Sequence, residues 1–389
     1  MLAYFLYGIG LGALLHTYFL YPIILIILNR LVASKEKVSD SFSEEPLPSV
    51  TLVIAAYNEE VVIDEKLRNS LSLDYPHDRF KIVIASDGSS DRTNEITLEY
   101  MKKYPIIDLL ELPRGGKCQA INAAISKVDS EIIIFSDANT EYQRDALKKL
   151  VRHFKHSDIG CVCGRLIYRN QNQVLSGKGE SLYWKYETMI KKLEGKLGFV
   201  AGANGAIYAV RKELVDYLPE NTINDDFFIS MRVVQKRKKS IYEQNAIAYE
   251  DVAPSIESEF KRHIRDGAGH YIAILQLWRL MNPLLGWPSF IFWSHRLLRW
   301  LAPFILIALF SGNIFLLNDP FFLVFFYLQT LFYTFAFLGL MIKNENLPLI
   351  IYVPFYFCIL NLALFVGFFR LVFGLQKTVW VSTARKYNE

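Results

Sequence analysis

The chain has 389 residues, enough for two or three structural units, and its 43 basic and 39 acidic side chains leave a net charge of +4. That surplus is too small for a nucleic-acid-binding surface. With 52% hydrophobic and 21% charged residues, the chain is neither disordered nor an ordinary single soluble domain. Four cysteines, two of them in Cys161-Val162-Cys163, lack the spacing of a zinc site or a disulfide framework and read as reduced cytosolic thiols.

Residues 1–29 contain no Asp, Glu, Lys or Arg. A helix needs about 20 apolar residues to cross the ~30 Å hydrocarbon core, so residues 1–30 are expected to form a transmembrane helix. A cleaved signal peptide is the competing reading, but the stretch lacks a basic leading region and a small-residue cleavage site. Arg30, Lys35 and Lys37 follow, and the positive-inside rule then places the next segment in the cytosol.

The polar block 38–279 is long enough for a complete domain. Three short apolar, β-branched runs, 50–56, 81–86 and 131–136, are expected to be buried parallel strands. Helical patterns over 58–70, 91–103, 119–127 and 144–154 alternate with them, which predicts an α/β fold with a mostly parallel sheet wrapped by crossover helices. Ligands of such sheets bind beyond the carboxyl ends of the strands. Those ends read Ala56-Tyr57-Asn58-Glu59-Glu60, Asp87-Gly88-Ser89-Ser90-Asp91 and Asp137-Ala138-Asn139. Acidic groups at neighbouring strand ends suit a nucleotide's ribose and base and a divalent cation on its phosphates, although any one of them, Asp91 for instance, could simply cap a helix. Pro113-Arg114-Gly115-Gly116-Lys117 opens a helix as a phosphate-approaching loop would, without the spacing of a P-loop.

Further along, Trp184, Tyr183 and Tyr186 lie on an expected helix ahead of the small-residue loop Gly202-Ala203-Asn204-Gly205. Asn224-Asp225-Asp226-Phe227 supplies paired carboxylates that would serve as a general base or as helix caps. The basic run Lys236 to Lys239 reads as a solvated or lipid-headgroup face, and Arg262 and Arg265 as a diphosphate grip or a solvated helix face. His16 and His270 read as packing or interface residues. Residues 280–300, with three tryptophans, His295, Arg296 and Arg299, are expected to form an interfacial helix. Residues 301–342 carry one charge, Asp319, and allow two crossings split at Asn318-Asp319-Pro320; 346–369 allow one more. About three transmembrane helices over 301–376 and a tail over 377–389 follow. Three crossings would leave Lys377, Arg385 and Lys386 outside, against the positive-inside rule, unless one stretch lies in the interface.

In order along residues 50–269, these motifs resemble glycosyltransferase family 2, inverting enzymes with a GT-A nucleotide-sugar fold, and the flanking helices are similar to those of its membrane-integrated synthases. The resemblance implies a cytosolic GT-A domain over 45–279. Ala56, Tyr57 and Glu59 would line the first nucleotide-contacting strand end, and Asp87 would contact the nucleoside. Gly116-Lys117 through Asn122 resembles the family's Gly-Lys…Ala-Leu-Asn stretch, with Lys117 on the donor. Asp137 and Asn139 fill its metal-binding Asp-x-Asp position for Mg2+ or Mn2+, with one charge fewer than usual. Asp226 would be the general base, with Asp225 beside it. Gly202, Asn204 and Trp184 would receive the acceptor. Arg262 and Arg265 fall where processive synthases carry Gln-x-x-Arg-Trp and would grip the diphosphate, but the tryptophan is replaced by Asp266. The tail motif Trp380 to Arg385 is given no role.

The implied protein is a multi-pass plasma- or inner-membrane glycosyltransferase with its catalytic domain in the cytosol. It would move a sugar from an NDP-sugar, expected to be a UDP-sugar, to a membrane-held acceptor in surface polysaccharide biosynthesis, with membrane lipid and no nucleic acid among its partners. Transfer of one sugar to a lipid-linked intermediate is the alternative that Asp266 favours. A non-catalytic nucleotide-binding membrane protein is the alternative of another class.

Overall fold

A computed structural model describes residues 2–32, 46–169, 175–251, 255–342 and 347–376. The expected positions Lys35, Lys37 and the tail 377–389 lie outside these, as does the side chain of Tyr183. The chain opens with α1 (Leu2–Leu15), a π-helical turn (His16–Leu20) and α2 (Tyr21–Val32), a nearly continuous apolar rod. The first strand, β1 (Val50–Ala56), is buried along its whole length, as a central parallel strand must be. Then come α3 (Ile63–Leu71), β2 (Phe80–Asp87), α4 (Thr93–Met101), β3 (Ile107–Leu112), α5 (Lys117–Lys127) and β4 (Ile132–Asp137). Next are β5 (Glu141–Tyr142), α6 (Ala146–Val151), β6 (Ile159–Arg169), α7 (Leu175–Lys196), β7 (Tyr208–Arg211), α8 (Asp225–Gln235), β8 (Lys239–Asp251) and α9 (Ile256–Gln276).

The sheet runs in the order β3-β2-β1-β4-β7-β6-β8-β5. β3, β2, β1 and β4 are parallel, β6 and β8 are parallel to each other, and β7 is antiparallel to both its neighbours. In register, Ala56 sits opposite Ser86, and Ala55 opposite Asp137, so the three expected strand ends lie side by side on one edge of the sheet. Strand alternation splits the core into two layers. Leu52 and Ile54 pack with α3 and α6 residues such as Leu67 and Leu150. Val53 and Ala55 face the layer of Ile121, Phe228 and Tyr271, which continues without a break into Phe292 and Trp300.

Beyond α9, short 3-10 turns lead into α10 (Trp287–Ile291), a π-turn (Phe292–Leu297) and α11 (Leu298–Ile314), then α12 (Pro320–Met341) and α13 (Leu349–Val372). Among the described residues, four helices are long and apolar enough to cross a membrane: Tyr4–Leu31, Trp287–Ile314, Pro320–Met341 and Leu349–Val372. α12 starts where expected, with Asp319 accepting the Phe321 N–H at 2.9 Å and Pro320 in the first turn. Its exposed Phe321, Val324, Leu328 and Leu331 form an apolar surface suited to lipid.

Several expectations are corrected. The interfacial segment 280–300 is not a separate element, because Trp287 onward is continuous with the second long apolar helix. The helix expected from residue 58 starts at Ile63, since Asn58 adopts φ 51 and its side-chain oxygen accepts the Ser90 N–H at 2.8 Å. The basic run is the solvated face expected of it, with its lysines in surface pairs. Lys236 pairs with Asp216 at 2.6 Å, Lys239 with Asp158 at 2.8 Å, and Lys238 donates to the Ser157 carbonyl. His16 and His270 are packed as expected, against Ser294 at 2.8 Å and stacked on Trp300, respectively.

A polar network joins the domain to the membrane helices. Glu187 and Glu194 of α7 are fully buried and flank His295, which meets them at 3.0 and 2.7 Å. Arg296 and Arg299 also reach Glu187, at 2.8 and 3.2 Å, and the Tyr21 hydroxyl donates to Glu194. The two π-turns meet beside it, where the Thr17 hydroxyl donates to the Ser294 carbonyl at 2.6 Å.

Candidate active site

The loop after β2 and the loop before α5 make the first part of the site. Asp87 is 1% exposed, and its Oδ1 accepts the Gly115 and Gly116 N–H groups at 2.7 and 2.8 Å. Arg114 pairs with its other oxygen and lies over the Tyr57 ring, 3.3 Å from its centroid. Tyr57, Asp87 and Arg114 thus form one cluster at the end of β1 and β2, with Ala56 closing β1 beneath it. The backbone N–H of Glu59 is held by the Thr93 hydroxyl at 2.8 Å.

Next to this cluster is a cavity of about 360 Å³. It gathers Glu59, Lys117, Asp137, Asn139, Trp184, Asn204, Asp225, Asp226, Arg262 and Arg265, from sequence positions almost 210 residues apart. Lys117, in the first turn of α5, lies between Asp137 and Asp225 at 3.1 Å from each. Burial opposes its charge, but Asp137, Asp225 and Asp226 outweigh burial and hold the ammonium above the usual lysine range.

Helix α8 begins at Asp225, with Asn224 at its N-cap, so both acids occupy the first turn, where the helix dipole favours negative charge. Asp226 accepts the Phe227 N–H at 2.8 Å and, through Oδ2, the Gly205 N–H at 2.8 Å. Burial, then the neighbouring charge of Asp225, pushes its carboxyl up to about 6, against the pull of Lys117, the Phe227 N–H and Lys191. A Cβ on Gly205 would stand 3.5 Å from both Asp137 Oδ2 and Asp226 Oδ2, so the two carboxylates face one small gap. Gly202 bends the same loop at φ +95 directly against Phe227.

The donor set at Asp137 fits a hard divalent cation. Asn139 donates its amide N–H to Glu250 at 2.7 Å, and its amide oxygen is the atom suited to ligation. No group of three or more His, Cys, Asp or Glu side chains among the described residues is arranged to hold a metal by itself. One carboxylate and one amide suit an ion that shares its shell with substrate phosphates and water.

The far wall is α9. Arg262, His263, Arg265, Asp266 and His270 line it, and the Asp266 carbonyl accepts from Asn224 at 3.1 Å, which locks α9 to the start of α8. Burial would raise the Asp266 carboxyl, but the charges of Arg265 and Arg262 outweigh it and keep it below the usual range. Burial pushes His270 down to about 3, so it is neutral. Asp266 is therefore an ionised carboxylate on the cavity wall.

Several wall residues carried no sequence signal. Glu250 lies next to the end of β8, Arg296 donates to the Ala201 carbonyl at 2.7 Å, and Tyr356 comes from α13. Lys66, buried in α3, donates to Ser136, Thr140 O and the Thr140 hydroxyl at 2.7, 2.7 and 3.1 Å, and so fixes the turn that carries Asp137 and Asn139. The spacing of Trp184, Glu187 and Lys191 along one face of α7 was the signal that would have found Lys191.

Residues 51–214 match the family model described as glycosyl transferase family 2. The chain is 28% identical over 273 residues to a β-monoglucosyldiacylglycerol synthase of Synechocystis sp., covering 67% of this chain and 56% of that protein. It is 28% identical over 258 residues to a poly-β-1,6-N-acetyl-D-glucosamine synthase of Staphylococcus epidermidis, covering 64% of this chain and 60% of that protein. The matches thus span less than two thirds of the length of these relatives. Its fold is similar to that of a mannosyltransferase from Pyrobaculum calidifontis solved with GDP-Man and Mn2+, with a TM-score of 0.70 and 19% identity over 96% of this chain and 98% of the other.

Proposed function

From the family 2 glycosyltransferase domain that this chain carries, we propose that the protein is a membrane-embedded inverting glycosyltransferase that moves a sugar from a nucleoside-diphosphate sugar to a membrane-held acceptor. The observation that carries this reading is the facing of Asp137 and Asp226 across Gly205. Inversion by a single displacement needs the leaving diphosphate on one side of the sugar and a base on the other. Tyr57 and Asp87 would take the nucleoside, and Arg262 and Arg265 the diphosphate. Gly202, Asn204 and Trp184 would receive the acceptor, whose hydroxyl proton passes to a carboxylate oxygen of Asp226. When bound, a Mg2+ or Mn2+ ion held by Asp137 and Asn139 would offset the charge of the leaving diphosphate.

The acceptor side supports transfer to a lipid. Tyr356 brings the last apolar helix into the cavity wall, and Asp266 replaces the sugar-stacking tryptophan of processive enzymes. Elongation of a surface polysaccharide is the second reading, favoured by the similarity to the poly-N-acetylglucosamine synthase. The proposed setting is a multi-pass cell-membrane protein with the domain on the cytosolic side, the donor expected to be a UDP-sugar.

The test is a product assay on the full chain in lipid, with UDP-, GDP- and TDP-sugars, Mg2+ or Mn2+, and membrane lipid extract. One donor should be transferred. Asp226→Asn should lower turnover by about 10²–10⁴-fold while keeping donor affinity. Full activity in that variant would remove Asp226 as the base. Binding of a donor without turnover by the wild type would favour the non-catalytic alternative.

A further inference from the structure

Lys191 is a buried cation of the cavity wall that little holds. It lies on the α7 face that also carries Trp184 and Glu187, and all three line the cavity. The residue is 5% exposed. Among the described residues, its ammonium makes one hydrogen bond, a long one of 3.4 Å to the Ala203 carbonyl, and no ion pair. An ammonium offers three donors, and a buried charge that is incompletely paired is costly. Lys117, in the same cavity, is gripped by two carboxylates, and Arg296 by Glu187 and the Ala201 carbonyl. Asp226 feels the Lys191 charge without touching it. Lys191 therefore stands beside the proposed base with donor capacity directed at whatever enters the cavity.

The charges of the two walls sharpen this. The strand-end wall is acidic, with Glu59, Asp137, Asp225, Asp226 and Glu250. The wall made by α7, α9 and the helix at Arg296 carries Lys191, Arg262, Arg265 and Arg296 against Glu187 and Asp266. Two of those four cations, Arg262 and Arg265, are assigned to the donor, and Arg296 is bound to Glu187. We infer that Lys191 binds an anionic group of the acceptor, a phosphate carried by a membrane lipid close to the accepting hydroxyl. A neutral diacylglycerol or an uncharged sugar chain would leave the ammonium without a counter-charge. This rests on the glycosyl-transfer reading for its biological sense, but the anion site can be measured without transfer.

The full chain in neutral detergent is titrated with phosphatidic acid, phosphatidylglycerol, diacylglycerol and inorganic phosphate, and binding is read by native mass spectrometry. The two phosphate lipids should bind the wild type about tenfold or more tightly than diacylglycerol. Lys191→Met should abolish that preference and Lys191→Arg should restore part of it; Lys191→Gln serves if the Met variant fails to fold. In transfer assays, Lys191→Met should raise the acceptor KM about tenfold and leave the donor KM within about twofold. Equal binding of diacylglycerol and phosphate lipids by the wild type overturns the inference, and so does a phosphate preference that survives in Lys191→Met. A raised donor KM would assign Lys191 to the diphosphate instead, and inorganic phosphate binding as tightly as the lipids would remove the lipid as its source. A phosphate preference that depends on Lys191, found in a protein that transfers no sugar, would sink the transfer reading and leave this site standing.

Discussion

As the proposed base, Asp226 would act only when ionised, and its carboxyl is pushed up to about 6 by burial and by Asp225. The sign follows directly: below pH 6 the carboxyl is protonated, so kcat/KM should fall about tenfold per pH unit there and level off above it. Lys117→Met removes a charge that restrains this shift, so the acid limb should move up by about one pH unit as well as losing amplitude. A pH–rate profile of both proteins checks this. At this scale much of the site was legible. Asp87, Asp137, Lys117 and Asp225-Asp226 sit in short motifs at strand ends or helix starts, where local sequence dictates local geometry. Glu250 and Arg296 were not legible as site residues. Each reaches the cavity from an element whose own sequence shows only ordinary helix or strand pattern, and only the packing of distant segments brings them in.

The long strand β8 is stapled to the segment after α6 by Glu243, whose side chain is 5% exposed and accepts from Arg152 at 2.6 Å, His153 at 2.7 Å and the Asn245 N–H at 2.9 Å. Burial would raise this carboxyl, but the three donors outweigh it and hold it down to about 2. A depressed carboxyl stabilises above its ordinary value of 4.5 and loses that contribution as pH falls towards 2. Glu243→Gln should cost about 2 kcal/mol, less than a fully buried pair because Arg152 reaches solvent. The loss should show as a lower Tm at neutral pH that converges with wild type near pH 2. Gly202→Ala should be worse for activity than for folding. At φ +95 its new Cβ would clash with the Phe227 ring and push the loop proposed to receive the acceptor off the start of α8. A large drop in kcat with a Tm change of a few degrees is the expected pair of results. The sequence showed β1, β2 and β4 because they are short, apolar and buried on both faces. It concealed β3, β6 and β8, where exposed and charged residues interrupt the pattern and pairing with neighbours supplies the order.

The catalytic wall and the membrane helices are one packed body. α9, which carries Arg262, Arg265 and Asp266, lies against α13 where Gly367 lets the backbones close. A Cβ there would come within 2.6 Å of the Ile264 carbonyl. Gly367→Ala should force α9 away from α13 and shift the whole arginine-bearing wall. Donor KM should rise severalfold although no residue of the site has changed, with a loss of about 1–3 kcal/mol of stability. Titration of donor binding in the variant tests this. Sequence pattern alone marked the three apolar stretches from which the long helices are built, because twenty uncharged residues in a row have few other uses. It misplaced the boundary near residue 300, since Arg296, Arg299 and His295 look amphipathic until Glu187 and Glu194 are seen to neutralise them.

Those two glutamates decide how the protein can be divided. They belong to the domain by sequence, yet Tyr21, His295, Arg296 and Arg299, which satisfy them, all come from the apolar helices on either side. A fragment ending before residue 280 and beginning after residue 45 would expose or strand both carboxylates, and would also strip Phe292 and Trp300 from the layer beneath the sheet. Such a fragment should fail to fold as a soluble enzyme. The bilayer part is thus an internal chaperone for the catalytic part, and any condition that pulls the helices apart, such as a harsh detergent, should extinguish activity before it melts the sheet.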